Sequence, residues 1–206
     1  MKDESVAWEE EYLCKGAVWG GAVHHLPELP EGSRVLELGC GNGKTLSAMI
    51  QRNWDVTAID FSARAVAMSR MQTGIRQKGD GCVADACSLP FAPGRFDAVF
   101  AIHILSHLEK NDRTHAVAEA VRVLKNGGIL YFSGFSTEDF RSGKGSIVEE
   151  GTVKRGSGIF THYFTEPETK VLFGNLSSER ITTERWSMRV RGKDFPRAEI
   201  QATFIK

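Results

Sequence analysis

The sequence has few cysteines and no long apolar run, and each of these shortages excludes a class of protein. Its four cysteines are few and irregularly spaced, which excludes a disulfide framework and favours reduced thiols. Cys82 and Cys87 are the closest pair, and no second pair or histidine stands at the spacing of a zinc site, so we expect no metal. No apolar run is long enough to cross a bilayer.

An excess of charge of either sign is also missing. The 26 lysines and arginines equal the 26 aspartates and glutamates, so the chain has no overall electrostatic attraction for nucleic acid or an anionic membrane. The first eleven residues are polar and acidic, unlike a signal peptide. We therefore expect a cytoplasmic protein with a small-molecule partner, without a nucleic-acid or membrane partner; the oligomeric state is left open.

What the sequence does contain is a short apolar run followed by three glycines at alternate positions. The run consists of Val35, Leu36 and Leu38, which suits a buried strand and is too short for a helix. Gly39, Gly41 and Gly43 follow it, and residues 44–52 predict a helix. Strand, glycine turn and helix together place bare backbone N–H groups beside a ligand.

Glu37 narrows the choice of ligand, because a carboxylate inside an apolar strand is costly unless something pairs with it. It would repel a pyrophosphate, and it would attract an ammonium or hydroxyl groups. The third glycine of the dinucleotide fingerprint is also absent, since Lys44 stands at its position. The motif Glu37-x-Gly39-x-Gly41-x-Gly43 resembles the first motif of the class I methyltransferases that use S-adenosylmethionine.

An acid ends the second predicted strand, residues 55–59. Asp60 lies nineteen residues after Gly41, close to the spacing at which an acid binds ribose hydroxyls. A carboxylate can accept hydrogen bonds from both hydroxyls at once. The alternative is that Asp60 caps the following helix, although Ser62 already stands at the N-cap position.

The resemblance covers residues 32–135 through further motifs. The run A-D-A-C-S-L-P-F precedes the predicted strand Phe96–Ile102, and V-L-K-N-G-G-I-L resembles the helix-to-strand turn of the family. The resemblance implies that Asp85 faces the adenine amino group and that a backbone N–H of Ala86 or Cys87 meets the ring nitrogen. The residues predicted to contact the cofactor are Tyr12, Trp19, Glu37, Gly39, Cys40, Gly41, Asp60, Phe61, Asp85, Ala86 and Ile102.

Residues 5–25 lie outside the repeat of strands and helices and must pack on its surface. Tyr12 and Trp19 have the character of pocket aromatics, with an apolar body and one polar end. The resemblance implies a lid over the cofactor, and the alternative is an amphipathic helix that covers a sheet edge.

The acceptor side of the site is predicted from strand ends. His103 follows the apolar strand Phe96–Ile102, and ligands of open α/β sheets lie beyond the carboxyl ends of strands. His103 is therefore predicted to face the transferable methyl group as a base, with a structural histidine as the alternative. The long segment 136–165, either a lid or a β-ribbon, is predicted to bring His162 and Tyr163 to the substrate.

The resemblance implies an α/β fold with a doubly wound, mostly parallel seven-stranded sheet, helices on both faces and an antiparallel C-terminal hairpin. Residues 1–206 then form a single domain, with an N-terminal lid (1–30), a cofactor-binding core (32–135), an insertion (136–165) and a C-terminal helix and hairpin (166–206).

The implied activity is in-line transfer of a methyl group from S-adenosylmethionine to a small molecule, with S-adenosylhomocysteine as the product. The stretch A-I-H-I stands where family members that methylate adenine or glutamine amino groups carry N-P-P-Y, which argues against those acceptors. Two alternatives remain open: a non-catalytic cofactor-binding module, and a nicotinamide-dependent oxidoreductase, which Glu37 and the shifted glycine disfavour.

Overall fold

The computed structural model describes residues 2–15, 26–73 and 81–206. The first part of the chain alternates strands and helices, as expected for a parallel sheet. In chain order its elements are α1 (Lys2–Lys15), β1 (Arg34–Leu38), α2 (Lys44–Ile50), β2 (Asp55–Asp60), α3 (Ala63–Thr73), β3 (Gly81–Val83), β4 (Phe96–Ile102), a 3-10 helix (Ile104–His107), α4 (Lys110–Val123) and β5 (Leu124–Phe135).

The second part of the chain contains most of its antiparallel structure. Its elements are β6 (Ser146–Glu149), β7 (Thr152–Lys154), β8 (Phe160–His162), α5 (Glu166–Leu172), β9 (Ser177–Val190) and β10 (Lys193–Ile205). None of the helices within the described ranges is long and apolar enough to cross a membrane.

The central sheet has the strand order β3-β2-β1-β4-β5-β10-β9. The pairs from β3 to β5 are parallel, and β10 is antiparallel to both of its neighbours. The predicted doubly wound sheet with an antiparallel C-terminal hairpin is thus confirmed. The strand order reverses between β1 and β4, and ligands of such sheets bind beyond the carboxyl ends of the strands at that point.

Strand β1 shows why the sheet has a core on each face, because successive side chains of a strand point to opposite sides. Leu36 and Leu38 belong to the cluster that contains Ala116 and Ala120 of α4. Val35 belongs to the cluster on the other side. There it packs with Leu46 and Met49 of α2.

The segment that follows β5 forms the β-ribbon of the two forms predicted for it. Strands β6, β7 and β8 make a separate antiparallel sheet. An ion pair of 2.7 Å between Arg113 of α4 and Glu149 of β6 fastens this ribbon to the main domain. Arg113 is buried, so the ion pair is well shielded from water.

The predicted C-terminal hairpin is formed by two long strands, β9 of 14 residues and β10 of 13 residues. Arg191 and Gly192 both have positive φ, 49° and 78°, and they form the two-residue turn that matches the twist of a hairpin. Pro196 lies within β10, opposite Ser187 of β9. It is tolerated because β10 pairs with β5 only from Glu199 onward, so no ladder on that side needs an N–H from Pro196.

Gly134 of β5 lies against two aromatic rings, which leave no room for a side chain at this position. A Cβ atom there would lie 2.6 Å from Cζ of Phe132 and 2.8 Å from Cδ2 of Phe164. We predict that Gly134→Ala lowers the free energy of unfolding by about 1–3 kcal/mol through overpacking, as measured by urea denaturation.

Gly156→Ala is the matched control, because a Cβ atom at Gly156 meets nothing within 4 Å. Its free energy of unfolding should stay within about 0.5 kcal/mol of the parent. Equal stability of the two variants would show that the rings around Gly134 rearrange without cost.

Candidate active site

A cleft of about 530 Å³ opens at the carboxyl ends of the parallel strands. Residues after β1, β2, β3 and β4 line one part of it, which we call the glycine half. Residues of β5, β9 and β10 and the loop after β5 line the rest, which we call the hairpin half.

The structure brings most of the predicted cofactor contacts together in the glycine half, and their individual roles stay predictions. Trp19 lies outside the described residues. The predicted cofactor contacts that line the cleft are Tyr12, Glu37, Gly39, Cys40, Gly41, Asp60, Phe61, Asp85, Ala86 and Ile102.

The turn after β1 is held by Asp60 at the end of β2. Its Oδ2 atom accepts a hydrogen bond of 3.0 Å from the Gly41 N–H, and its Oδ1 atom accepts one of 2.9 Å from the Ser62 N–H. Gly41 has a φ of 52°, and a Cβ atom there would lie 3.1 Å from the Tyr12 hydroxyl oxygen. A side chain at this position would therefore be strained and would crowd the cleft.

The Asp60 carboxylate can still bind a ligand, since each of its oxygens has a second lone pair. Burial raises the pKa of Asp60 to about 6, against the lowering effect of the Ser62 and Gly41 N–H groups. Ser62 Oγ accepts a hydrogen bond of 3.0 Å from the Ala65 N–H, so Ser62 caps α3, as the sequence predicts. Asp60 is therefore not needed as the cap of α3, and its carboxylate faces the cleft.

Glu37 is a buried acid with an unsatisfied oxygen. Its side chain is 2% exposed, and its Oε2 atom has no hydrogen-bond partner among the described residues. Burial, and then the nearby Asp60 carboxylate, raise the pKa of Glu37. A buried unpaired carboxylate is costly, and a ligand with an ammonium group removes that cost. The amino-acid end of S-adenosylmethionine carries such a group and fits here.

The loop after β3 supplies the predicted adenine contacts. The Cys87 N–H donates a hydrogen bond of 2.8 Å to Oδ1 of Asp85. Of the two backbone groups proposed for the ring nitrogen, the Ala86 N–H is therefore the better candidate. Phe61, 38% exposed, lines the cleft beside this loop.

Helix α1 forms a wall of the glycine half. Trp8 and Tyr12 are buried in one cluster with Ala65 of α3 and with Ile159. The helix therefore packs on another helix rather than on a sheet edge. Whether it opens and closes over the cofactor stays a prediction.

His103 lies where the two halves of the cleft meet. It has a left-handed backbone with a φ of 60°, which costs a residue with a side chain about 1–2 kcal/mol. Its N–H donates a hydrogen bond of 2.7 Å to the Ser133 carbonyl, and its ring stacks on Phe135 with the centroids 4.6 Å apart. Its Nε2 atom lies 3.4 Å from Oε1 of Glu199. A strained, well-held residue in a cleft points to function, and the catalytic role of His103 stays a prediction.

Glu199 is a site residue that sequence reasoning missed. It is 3% exposed and lies opposite Phe135 in the pairing of β10 with β5. Burial raises the pKa of Glu199 to about 7, and Arg197 and Arg141 oppose that rise. Its position between the apolar residues Ala198 and Ile200 of the predicted hairpin could have indicated a buried acid.

Two arginines, also missed, complete the hairpin half. Asp139 accepts a hydrogen bond of 2.8 Å from Nε of Arg141 and one of 2.6 Å from Nε of Arg197. The Arg197 guanidinium carbon lies 5.2 Å from the ring centroid of Trp186, which also lines the cleft. Burial acts to raise the pKa of Asp139, but the hydrogen bonds from both arginines hold it below its usual value.

His162 and Tyr163 are not among the residues that line the cleft, so the prediction that they contact substrate is corrected. His162 is 2% exposed, and its ring nitrogens lie 2.7 Å from the Thr152 hydroxyl and 2.7 Å from Glu168. Tyr163 is 1% exposed, and its hydroxyl accepts a hydrogen bond of 2.8 Å from Arg155. Both side chains are satisfied within the ribbon and α5, because the segment folds on itself.

Comparison with known proteins agrees with this geometry. Residues 36–132 match the family model described as a methyltransferase domain. The crystal structure of an S-adenosylmethionine-dependent methyltransferase from Methanosarcina mazei has the same fold, with a TM-score of 0.69 and 23% identity, covering 86% of this chain and 94% of that one. The chain belongs to the class I methyltransferases that use S-adenosylmethionine. S-adenosylmethionine is its cofactor, and the oxidoreductase alternative is dropped.

Two relatives of the chain are methyltransferases whose substrates are known. The tRNA N(3)-cytidine methyltransferase METTL2 of Bos taurus is 31% identical over 180 residues, which cover 77% of this chain and 47% of that protein. The tRNA (carboxymethyluridine(34)-5-O)-methyltransferase alkbh8 of Xenopus tropicalis is 30% identical over 140 residues, which cover 67% of this chain and 21% of that protein. The chain thus spans about half the length of the first relative and a fifth of the second.

The sequence predicts a small-molecule acceptor and no nucleic-acid partner, and that prediction is wrong, because both relatives are methyltransferases of tRNA. Net charge is a poor guide to the partner because it averages the whole chain and does not show which charged side chains, such as Arg141 and Arg197, line the cleft. The missing N-P-P-Y motif argues only against amino-group acceptors and leaves ring atoms open.

We predict that Asp60→Ala weakens the binding of S-adenosylmethionine, because the ribose hydroxyls lose their acceptor and the Gly41 and Ser62 N–H groups lose their partner. The expected loss is about 1–3 kcal/mol, or roughly five- to hundred-fold in Kd, measured by calorimetry. Asp55→Ala, at the exposed start of the same strand, is the control and should bind as the parent does. Unchanged affinity for Asp60→Ala would remove Asp60 from the site.

Proposed function

We propose that this chain transfers the methyl group of S-adenosylmethionine to a ring nitrogen of a pyrimidine in tRNA, with N3 of cytidine as the acceptor. The observation that carries the proposal is the similarity to a tRNA N(3)-cytidine methyltransferase along 77% of the chain. The shape and charge of the hairpin half support it.

The hairpin half suits a flat aromatic base. Tyr131, Phe135 and Trp186 line it together with Met188, so much of its wall is aromatic or apolar. Stacking of a base on an aromatic side chain contributes about 1–3 kcal/mol. An enzyme that modifies a base must take that base out of its helical stack, and such a wall offers replacement stacking.

Methylation of a ring nitrogen does not require a strong base in the site. The lone pair of cytidine N3 attacks the methyl carbon, the carbon–sulfur bond breaks, and its electron pair stays on sulfur. The positive charge of the sulfonium passes to the cytosine ring, and no proton needs to leave. Such a reaction depends on positioning and on negative charge near the ring.

Glu199 can supply that negative charge. Its carboxyl group is buried in the hairpin half and lies 3.4 Å from the His103 ring. Because the pKa of Glu199 is raised to about 7, the group is ionised above that pH and neutral below it. In this proposal His103 positions Glu199 and the base rather than accepting a proton.

The direct test is methyl transfer from labelled S-adenosylmethionine to tRNA, followed by mass spectrometry of the released nucleosides. Label in 3-methylcytidine is the expected result. Label in a methyl ester of a modified uridine, or no label in any RNA, would contradict the proposal.

The pH dependence of the rate tests the role of Glu199. At saturating tRNA the single-turnover rate should fall as the pH is lowered through about 7, because protonation removes the carboxylate charge. Glu199→Gln should slow transfer on the order of a hundredfold at pH 8 and abolish the step in the pH profile.

Two further variants complete the pH experiment. Glu179→Gln, an exposed position on β9, is the charge-matched control and should keep both the rate and the pH step. His103→Asn preserves tolerance of the left-handed backbone but cannot take up a proton. It should keep the step, and its loss in this variant would make His103 the titrating base.

A further inference from the structure

The arginines and the aspartate of the hairpin half form a buried ionic cluster. The Asp139 side chain has no exposed surface, and it binds Arg141 through Nε at 2.8 Å and Nη2 at 3.1 Å and Arg197 through Nε at 2.6 Å. Both arginines also act on the nearby Glu199 carboxyl group, whose pKa they lower against the effect of burial. The charges of the cluster are therefore matched when Glu199 is ionised, and a ligand would be bound through the hydrogen-bond donors that these carboxylates leave unused.

Both guanidinium groups retain donors that meet no acceptor among the described residues. Nη1 of Arg141 and Nη2 of Arg197 have no hydrogen-bond partner in the part of the chain that the structure describes. Their side chains are 17% and 12% exposed, and both line the cleft. These donors are therefore open to a ligand in the cleft.

The two groups are also held in place before any ligand arrives. The Arg141 guanidinium carbon lies 4.5 Å from the centroid of the Phe135 ring, and that of Arg197 lies 5.2 Å from the centroid of Trp186. Together with Asp139, these rings fix the planes of both arginines. Fixed guanidinium donors suit an oxyanion with two acceptor oxygens, and little side-chain entropy remains to be lost.

We propose that Arg141 and Arg197 bind a phosphodiester group next to the acceptor nucleotide. The inference rests on the proposed function and deepens it, because it makes the ligand a nucleotide within a chain rather than a free base. A base taken out of its stack needs its backbone held, and phosphate contacts commonly set that register. The cluster would hold one phosphate within the cleft that holds the methyl donor.

The experiment uses short RNA stem-loops that contain the cytidine methylated by the parent, with S-adenosylhomocysteine present so that no reaction occurs. In separate RNAs, each phosphate flanking that cytidine is replaced by a neutral methylphosphonate. In the parent, one replacement should raise the Kd about ten- to hundred-fold, as expected for loss of charge-assisted hydrogen bonds. Arg197→Gln should bind the normal RNA equally weakly and be indifferent to the same replacement.

Further variants separate a ligand contact from a structural role. Arg197→Lys keeps the charge and should retain sensitivity to the methylphosphonate with intermediate affinity. Arg34→Gln removes an equal charge at the exposed amino end of β1, away from the cleft at the carboxyl ends of the strands, and should behave as the parent. Thermal unfolding and the Kd of S-adenosylmethionine should be near parental values in Arg197→Lys and Arg34→Gln.

The outcomes distinguish this inference from the proposed function. If the effects of Arg197→Gln and of each methylphosphonate multiply, the arginine binds no flanking phosphate and the inference is wrong. Tight binding of a carboxymethyluridine RNA that depends on Arg197 would assign the pair to a base carboxylate and also overturn it. RNA that the parent neither binds nor methylates would overturn both proposals, whereas methylated RNA with no sensitive phosphate overturns this one alone.

Discussion

The antiparallel pairing of β10 with β5 is the interaction on which the site depends. Its register sets Glu199 opposite Phe135, so the acid lies beside the aromatic ring on which His103 stacks. The same strand continues to Arg197, which faces Trp186 across the hairpin. Because side chains alternate along a strand, a slip of one residue would turn all of these groups to the opposite face of the sheet. The glycine half of the cleft would survive such a slip, and the hairpin half would not.

The cleft is costly for the protein to maintain without its ligands. Glu37, Asp60 and Glu199 are all buried acids whose pKa values lie above their ordinary values, and burial is the largest cause for each. A cofactor that carries ammonium and sulfonium groups offsets part of that cost, and binding of this kind stabilises the folded state by mass action. The site thus gives up stability for affinity, as functional sites commonly do.

The two halves of the cleft differ in chemical character and meet at His103. The glycine half consists of backbone turns and acids that suit a small cationic ligand, whereas the hairpin half offers ring faces and guanidinium groups. His103 is joined to both, since it directly follows β4 of the parallel sheet while its ring contacts Phe135 and Glu199. The pairing changes from parallel to antiparallel between β5 and β10, the two strands that carry Phe135 and Glu199.

The sequence by itself determined the fold class and the glycine half of the cleft, because the motifs that predict them are local. Glu37, the glycines and Asp60 lie within two consecutive strands and their turns, so spacing alone predicts that they converge. Arg141, Trp186 and Glu199 lie on distant segments, and only the strand order β5-β10-β9 brings them together. The same limit explains the error about the acceptor, because net charge describes the chain as a whole. The charge in the hairpin half is decided by which residues the tertiary structure gathers at one edge of the sheet.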